Sequence, residues 1–327
     1  EAVYKPDSYQ DFTLRMLSHE EVRELLERGG IPRVEIDLAI RDMGGIWSGV
    51  GRPPANLATI RLYLDHVSLN YILSFKGTDM FEIDDWLDNI QNNITGTSEK
   101  YIQAMHVARV LWNAGIPFHN AGHSLGGGLA TAASMATATE ADTFNAAGLN
   151  PQELYYKGYW EGASRVPFYP ETPYARALSD RLIKAYNVYT VRPPSDFPYY
   201  NTNSSSDYSE DARDALTFFQ HLLYTQKRPD DPRIPAAFEA WGESKSIEGL
   251  FDLTKAEALA LRSLASGVNA AFAGTWITVL KDLLWALPSI SSLMQKMQDS
   301  HSFPSVYYGL LHNRDGWNAF DHTARKF

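Results

Sequence analysis

A serine set among glycines is the segment of this chain with the clearest chemical potential: Gly122-His123-Ser124-Leu125-Gly126. An apolar run, residues 116–121, precedes it, and small residues, 127–133, follow it. This order predicts a strand, a tight turn and a helix, the arrangement called a nucleophile elbow. Glycines allow the turn to close without a Cβ in the way, and the serine Oγ then projects from the sheet edge. The pattern predicts a serine hydrolase with Ser124 as the nucleophile and with Gly122, His123 and Gly126 forming the elbow.

A serine needs a histidine as its base, and the histidines after Ser124 are the candidates. Hydrolases with this elbow place the serine first, the acid second and the histidine last, which leaves a set of four: His221, His301, His312 and His322. We favour His301, because residues 299–304 predict a loop at a helix boundary. His221 falls within a predicted helix, and the other two fall in a polar tail.

The carboxylate that orients the histidine is expected in the loop after a predicted strand at 182–189. Asp196 is the first carboxylate of that loop, and Asp207 is the next. Asp196 is therefore our candidate for the triad acid, and Asp207 is the alternative. The other interpretation of Asp196 is a solvated turn carboxylate.

Two donors are expected to hold the oxyanion that forms when the serine attacks. One is the backbone N–H of Leu125, the residue after the nucleophile. The other is Thr78, which follows the predicted strand 71–75 and offers both an N–H and a hydroxyl. Each such donor contributes roughly 3 kcal/mol to lowering the barrier.

Alternating strands and helices are expected to position these groups. Strands are predicted over 60–64, 71–75, 116–121, 143–148 and 182–189, and helices over 18–28, 84–93, 99–112 and 127–133. Strands separated by helices predict an α/β-hydrolase fold with a mostly parallel sheet flanked by helices. We expect a single domain over 1–327, with a core of about 57–196 plus the segment around 301. Residues 200–298 are expected to form a largely helical cap or insertion.

Composition excludes several classes of function. The net charge of −10 argues against nucleic acid as a partner. The chain has no cysteine, so disulfides, thiolate metal sites and a cysteine nucleophile are excluded. An acidic cluster, residues 79–88, lacks the spacing of a calcium loop, and neither a metal nor a cofactor is predicted. The first five residues lack the basic start and apolar core typical of a signal peptide, and no apolar run is long enough to span a membrane; we therefore expect a soluble protein.

An apolar stretch over residues 270–287 has two interpretations. It can form helices buried on the sheet. It can also form a lid whose apolar face shapes an acyl-chain pocket or makes peripheral contact with a membrane.

Several segments together resemble class 3 lipases. Phe75-Lys76-Gly77-Thr78 resembles their oxyanion turn, and the segment around Ser124 resembles their elbow. Three more segments, at 85–89, 143–149 and 301–306, resemble bacterial secreted-effector and polymorphic-toxin lipases and phospholipases. Lys76 replaces the arginine usual in the turn, and the stretch usual before the acid is absent from 191–196. The resemblance implies a Ser-Asp-His triad, hydrolysis of lipid acyl esters and phospholipid as a substrate class.

The sequence thus predicts a lipolytic serine hydrolase, a phospholipase of the A type, acting as a secreted or delivered antibacterial effector with a cognate inhibitor protein as partner. A neutral-lipid lipase or carboxylesterase is the alternative within the same chemistry. An acyltransferase with the same triad and an inactive hydrolase fold that serves as a binding module are the alternatives from other classes.

Overall fold

The computed structural model describes residues 13–44, 59–77, 99–147, 173–189, 241–248, 257, 260 and 288–312. The predicted helix at 84–93 and the apolar stretch at 270–287 lie outside these residues. The chain forms two compact units. One contains residues 1–186, 239–244 and 327, and the other contains 187–238 and 245–326.

A seven-stranded sheet follows the order of the chain. Its strands are β1 (Leu14–Met16), β2 (Ile60–Asp65), β3 (Tyr71–Phe75), β4 (Phe118–His123), β5 (Ala141–Phe144), β6 (Ile183–Tyr189) and β7 (Glu243–Glu248). β1 to β3 pair antiparallel, whereas β3 to β6 pair parallel. Parallel neighbours need a crossover connection, and helices supply it. The predicted α/β class is therefore confirmed.

Helices connect and cover the strands. They are α1 (His19–Arg28), α2 (Arg33–Asp42), α3 (Glu99–Asn113), α4 (Leu125–Thr137), α5 (Pro173–Leu182), α6 (Pro288–His301) and α7 (Phe303–His312). The crossover from β3 to β4 is α3, and the crossover from β4 to β5 is α4. Because α3 packs against both α2 and α4, these three form one layer beside the sheet. No helix in the described part of the chain is long and apolar enough to cross a membrane.

The core lies between this helix layer and alternate residues of the strands. Leu62 of β2 and Leu73 and Phe75 of β3 are fully buried, and they belong to one apolar cluster with Leu129 of α4 and Ala108 of α3. Alternation at a period of two along each strand sends these side chains to the same face. The carboxyl ends of β3, β4 and β5 are thereby held at one rigid edge of the sheet.

The helix predicted over 18–28 is observed as α1, with Ser18 as its N-cap. The Ser18 Oγ accepts the Glu21 N–H at 3.2 Å, and the Ser18 N–H donates to the Glu21 carboxylate at 2.8 Å. This reciprocal capping box satisfies two backbone donors at the helix start. The helix ends at Arg28 before Gly29, also as predicted.

Two predicted strands are shifted along the chain. The strand predicted at 116–121 is observed at Phe118–His123, because Ile116 still donates its N–H to Leu111 and so belongs to the C-terminal cap of α3. The strand predicted at 143–148 is observed at Ala141–Phe144. It ends there because Asn145 adopts a left-handed backbone, with φ at 42°. The helix predicted over 127–133 starts earlier and ends later, at Leu125–Thr137.

Candidate active site

Ser124 lies in the turn between β4 and α4, in a backbone conformation that non-glycine residues rarely adopt. Its φ is 58° and its ψ is −128°. Such a conformation costs on the order of 1–3 kcal/mol and persists only where the surroundings hold it. Here the Ser124 N–H donates to the carbonyl of Phe144 at 3.0 Å, and its own carbonyl accepts the Gly127 N–H at 2.9 Å. The structure therefore has the strained strand-to-helix turn that the sequence predicts.

Two glycines are required for this turn because backbone atoms occupy the space of a Cβ. A Cβ on Gly122 would overlap the carbonyl of Gly126 and lie 2.8 Å from the nitrogen of Gly127. A Cβ on Gly126 would overlap the carbonyl of Phe75 and lie 2.9 Å from the nitrogen of Gly77. The elbow therefore packs directly against the turn that follows β3.

The N-terminus of α4 begins immediately after the serine. Its first residue is Leu125, and neither the first nor the last turn carries a charged side chain. The positive end of the helix dipole is therefore not neutralised by an acidic residue of the first turn. Ser124 is largely enclosed, with 9% of its surface exposed. This environment favours a negative charge that develops beside the serine.

His123 is the last residue of β4 and is buried directly before the nucleophile. Its partner across the sheet is Phe144 of β5, which stacks on Tyr186 of β6 with ring centroids 5.2 Å apart. Aromatic side chains therefore line the sheet beside the elbow.

His301 is the last residue of α6 and is 3% exposed. The prediction of a loop here is wrong: one residue, Ser302, separates α6 from α7. Ser302 makes this short junction possible because its Oγ donates to the carbonyl of Asp299 at 2.7 Å. His301 belongs to the second compact unit, and Ser124 belongs to the first.

The remaining predicted site residues divide into two groups. His312 is the last residue of α7. The others lie outside the described residues, and their roles stay predictions: Thr78, Asp196, Asp207, His221 and His322. In the described part of the chain, no group of three or more histidine and carboxylate side chains is placed to hold a metal ion.

A histidine–aspartate pair on the sheet was not predicted. His119 of β4 contacts Asp142 of β5, with Nε2 and Oδ2 2.9 Å apart, and Glu140 approaches the other ring nitrogen at 3.8 Å. The pair links β4, which leads into the elbow, to its neighbour β5. The sequence carries little signal for this pair: His119 lies in a predicted strand, but Asp142 directly precedes the strand predicted at 143–148, and sequence separation alone does not reveal strand register.

Comparison with known proteins gives two matches. Residues 1–189 match the model of a phospholipase-like family, the Tle-like phospholipase domain. The extracellular phospholipase A1 of Serratia liquefaciens is 41% identical over 96 residues, which is 29% of this chain and 30% of the relative. The chain thus matches less than a third of that relative's length. The family model spans more than half of the 327 residues, and it confirms the predicted resemblance to bacterial phospholipases. The chain belongs to the Tle-like phospholipase domain family.

Proposed function

We propose that the protein is a serine phospholipase of the A type, which cleaves an acyl ester of a phospholipid and releases a fatty acid and a lysophospholipid. The observation that carries the proposal is the strained Ser124 at the N-terminus of α4, with φ at 58° and ψ at −128°. Family membership and the phospholipase A1 of Serratia liquefaciens support phospholipid as the substrate class.

The proposed chemistry gives each predicted site residue a role. Ser124 Oγ attacks the ester carbonyl while His301 takes the hydroxyl proton, and a tetrahedral oxyanion forms. The N–H of Leu125 and the N–H of Thr78 stabilise that oxyanion together with the helix dipole. When the carbon–oxygen bond breaks, His301 returns the proton to the departing lysophospholipid oxygen. Water then attacks the acyl-enzyme by the same steps and frees the fatty acid.

Asp196 is proposed to orient His301 and to stabilise its protonated form. Paired substitutions test the base and the acid against their alternatives. We expect His301→Ala to lower kcat by about a thousandfold or more and His312→Ala to leave it within about twofold. Likewise Asp196→Asn should lower kcat by about 10⁴-fold and Asp207→Asn should not. The reverse result in either pair reassigns that role.

Secretion, membrane contact and a cognate inhibitor protein belong to the same proposal. The Serratia liquefaciens relative is an extracellular enzyme, which supports secretion. The apolar composition of residues 270–287 supports contact with lipid, and an inhibitor would be expected to cover the mouth of the active site. Failure to co-purify with any product of a neighbouring gene counts against the inhibitor.

Product analysis tests the central proposal. The parent, Ser124→Ala and the control Ser68→Ala are each incubated with mixed vesicles of phospholipid and triacylglycerol, and products are identified by mass spectrometry. Ser68 is a matched control because its hydroxyl bonds Asp65 at 2.6 Å in the distant β2–β3 turn. We expect lysophospholipid and fatty acid from the parent and from Ser68→Ala, and neither from Ser124→Ala.

Other outcomes discriminate the alternatives. Fatty acid from triacylglycerol alone would indicate a neutral-lipid lipase, and acyl transfer to an added alcohol in preference to water would indicate an acyltransferase. No product, together with no labelling of the parent by a fluorophosphonate probe, refutes the enzyme and leaves a binding module.

A further inference from the structure

Two left-handed, non-glycine residues stand at the ends of neighbouring strands. Ser124 follows β4 with φ at 58°, and Asn145 follows β5 with φ at 42°. Asparagine adopts this region more readily than most residues, whereas β-branched side chains are strongly disfavoured there. Asn145 is fully buried, so its conformation is set by the fold and not by an exposed loop.

The backbone after β5 turns at Asn145 and meets the elbow. The Asn145 N–H donates to the carbonyl of Tyr186 at 2.8 Å, which anchors the residue to β6. Two residues later, the Ala147 N–H donates to the carbonyl of Ser124 at 2.9 Å. Between them, Ala146 lies so close to α4 that a Cβ on Gly127 would come within 2.7 Å of its methyl group. We call residues 145–147 the brace.

Holding the Ser124 carbonyl has a direct consequence for catalysis. That carbonyl and the N–H of Leu125 belong to one planar peptide unit and point in opposite directions. A bond that fixes the carbonyl therefore fixes the direction of the N–H. The Leu125 N–H is the donor that the proposed function assigns to the oxyanion. The Ser124 carbonyl also accepts the N–H groups of Gly127 at 2.9 Å and Gly128 at 3.2 Å, so the brace orients that donor together with the first turn of α4.

We infer that Asn145 is a positioning residue for the hydrolysis of acyl esters: its left-handed backbone directs the Ala147 N–H to Ser124 and so orients the Leu125 N–H toward the oxyanion. The inference rests on the proposed function. It assigns to Asn145 no contact with substrate. Its effect is on the geometry of the transition state, and hence on kcat and not on KM.

Three substitutions test this role. Asn145→Thr places a β-branched residue where φ is positive, and Asn145→Gly accepts that φ without strain. Ala138→Thr is the matched control, because Ala138 is also left-handed, with φ at 54°, but is exposed at the far end of α4. Measurements are the rate of Ser124 labelling by a fluorophosphonate, kcat and KM on phospholipid vesicles, and the melting temperature.

The expected result separates positioning from stability. Asn145→Thr lowers the labelling rate and kcat by about tenfold or more and leaves KM within about twofold. Asn145→Gly restores both rates to within about twofold of the parent. Ala138→Thr lowers the melting temperature and leaves labelling at the parent rate.

Parent-like labelling of folded Asn145→Thr overturns the inference, as does an equal loss of rate in Ala138→Thr. Where Asn145→Thr does not fold, Asn145→Ala takes its place, with a smaller loss of rate expected and the same two refuting results. A parent that no fluorophosphonate labels refutes the proposed function itself, and the inference with it. A labelled parent with unaffected Asn145 variants refutes the inference alone.

Discussion

Replacing Gly126 with alanine probes the contact between the elbow and the turn after β3. The added Cβ would lie 2.9 Å from the Gly77 nitrogen and would overlap the Phe75 carbonyl. Non-bonded heavy atoms are normally separated by roughly 3.5 Å or more, so the Gly77 nitrogen must move away from the new Cβ by about half an ångström or more. Because Gly77 directly precedes Thr78, the proposed oxyanion donor moves with it.

The expected loss follows from the geometry of that donor. Removing one oxyanion donor costs about 3 kcal/mol, or about 10² in kcat. We expect Gly126→Ala to lower kcat by about 10²-fold with little change in KM, because the weakened hydrogen bond forms only in the transition state. Initial rates on phospholipid vesicles at several lipid concentrations give the two constants separately.

Gly30→Ala is the matched control for Gly126→Ala. Gly30 has φ at +75°, and a Cβ added there would meet nothing within 4 Å, so alanine carries backbone strain and no collision. It should cost about 1 kcal/mol of stability and leave kcat unchanged. If Gly126→Ala keeps kcat within twofold of the parent, the contact between the two turns does not set oxyanion geometry, and the reasoning is refuted.

Three further substitutions test what stabilises the fold. Ser18→Ala should lower the free energy of unfolding by about 1 kcal/mol in urea titrations, because it removes the cap that pairs with Glu21. Tyr63→Phe should be neutral or stabilising, since among the described residues the buried Tyr63 hydroxyl finds no hydrogen-bond partner. Burial raises the pKa of Tyr63 above 10.0, so the unfolded chain ionises first and the parent loses stability as pH rises above 10. Melting curves of Tyr63→Phe should lack this part of the alkaline loss. Asp142→Asn should cost about 1–3 kcal/mol by weakening the bond to His119, and unchanged stability would contradict that role.

The elbow could be predicted from the sequence because most of its causes are local. Gly122 is required by contacts with Gly126 and Gly127, a few residues along the chain, and small residues after Ser124 allow α4 to pack closely on its neighbours. Gly126 is required by the distant turn at Phe75 and Gly77, a contact that the sequence does not reveal. The capping box of α1 is equally local, since Ser18 and Glu21 satisfy each other's backbone donors. Contacts between residues so close in the sequence can be predicted without knowing the rest of the fold.

Other features depend on register or on distant contacts. The strand at Ala141–Phe144 ends early because Asn145 is left-handed. The brace is held by two bonds to distant residues: the Asn145 N–H donates to the Tyr186 carbonyl, and the Ala147 N–H donates to the Ser124 carbonyl. The pairing of His119 with Asp142 depends on which residues of β4 and β5 lie side by side. The strand β7, at Glu243–Glu248, has a polar sequence, ESKSIE, without the apolar alternation that predicts a strand.

The nucleophile and the predicted base are therefore held in place by different interactions. Ser124 is held by backbone hydrogen bonds from Gly127 and Ala147, so its geometry is insensitive to most side chains and sensitive to any change that moves a peptide group. His301 is held by a junction of one residue between two helices, where Ser302 closes the turn on Asp299. Insertions that lengthen this junction should lower turnover and fluorophosphonate labelling together, because the base that activates Ser124 toward the ester also activates it toward the probe. Substitutions in the brace should lower both rates as well, but they do so by moving the oxyanion donor and leave the base in place.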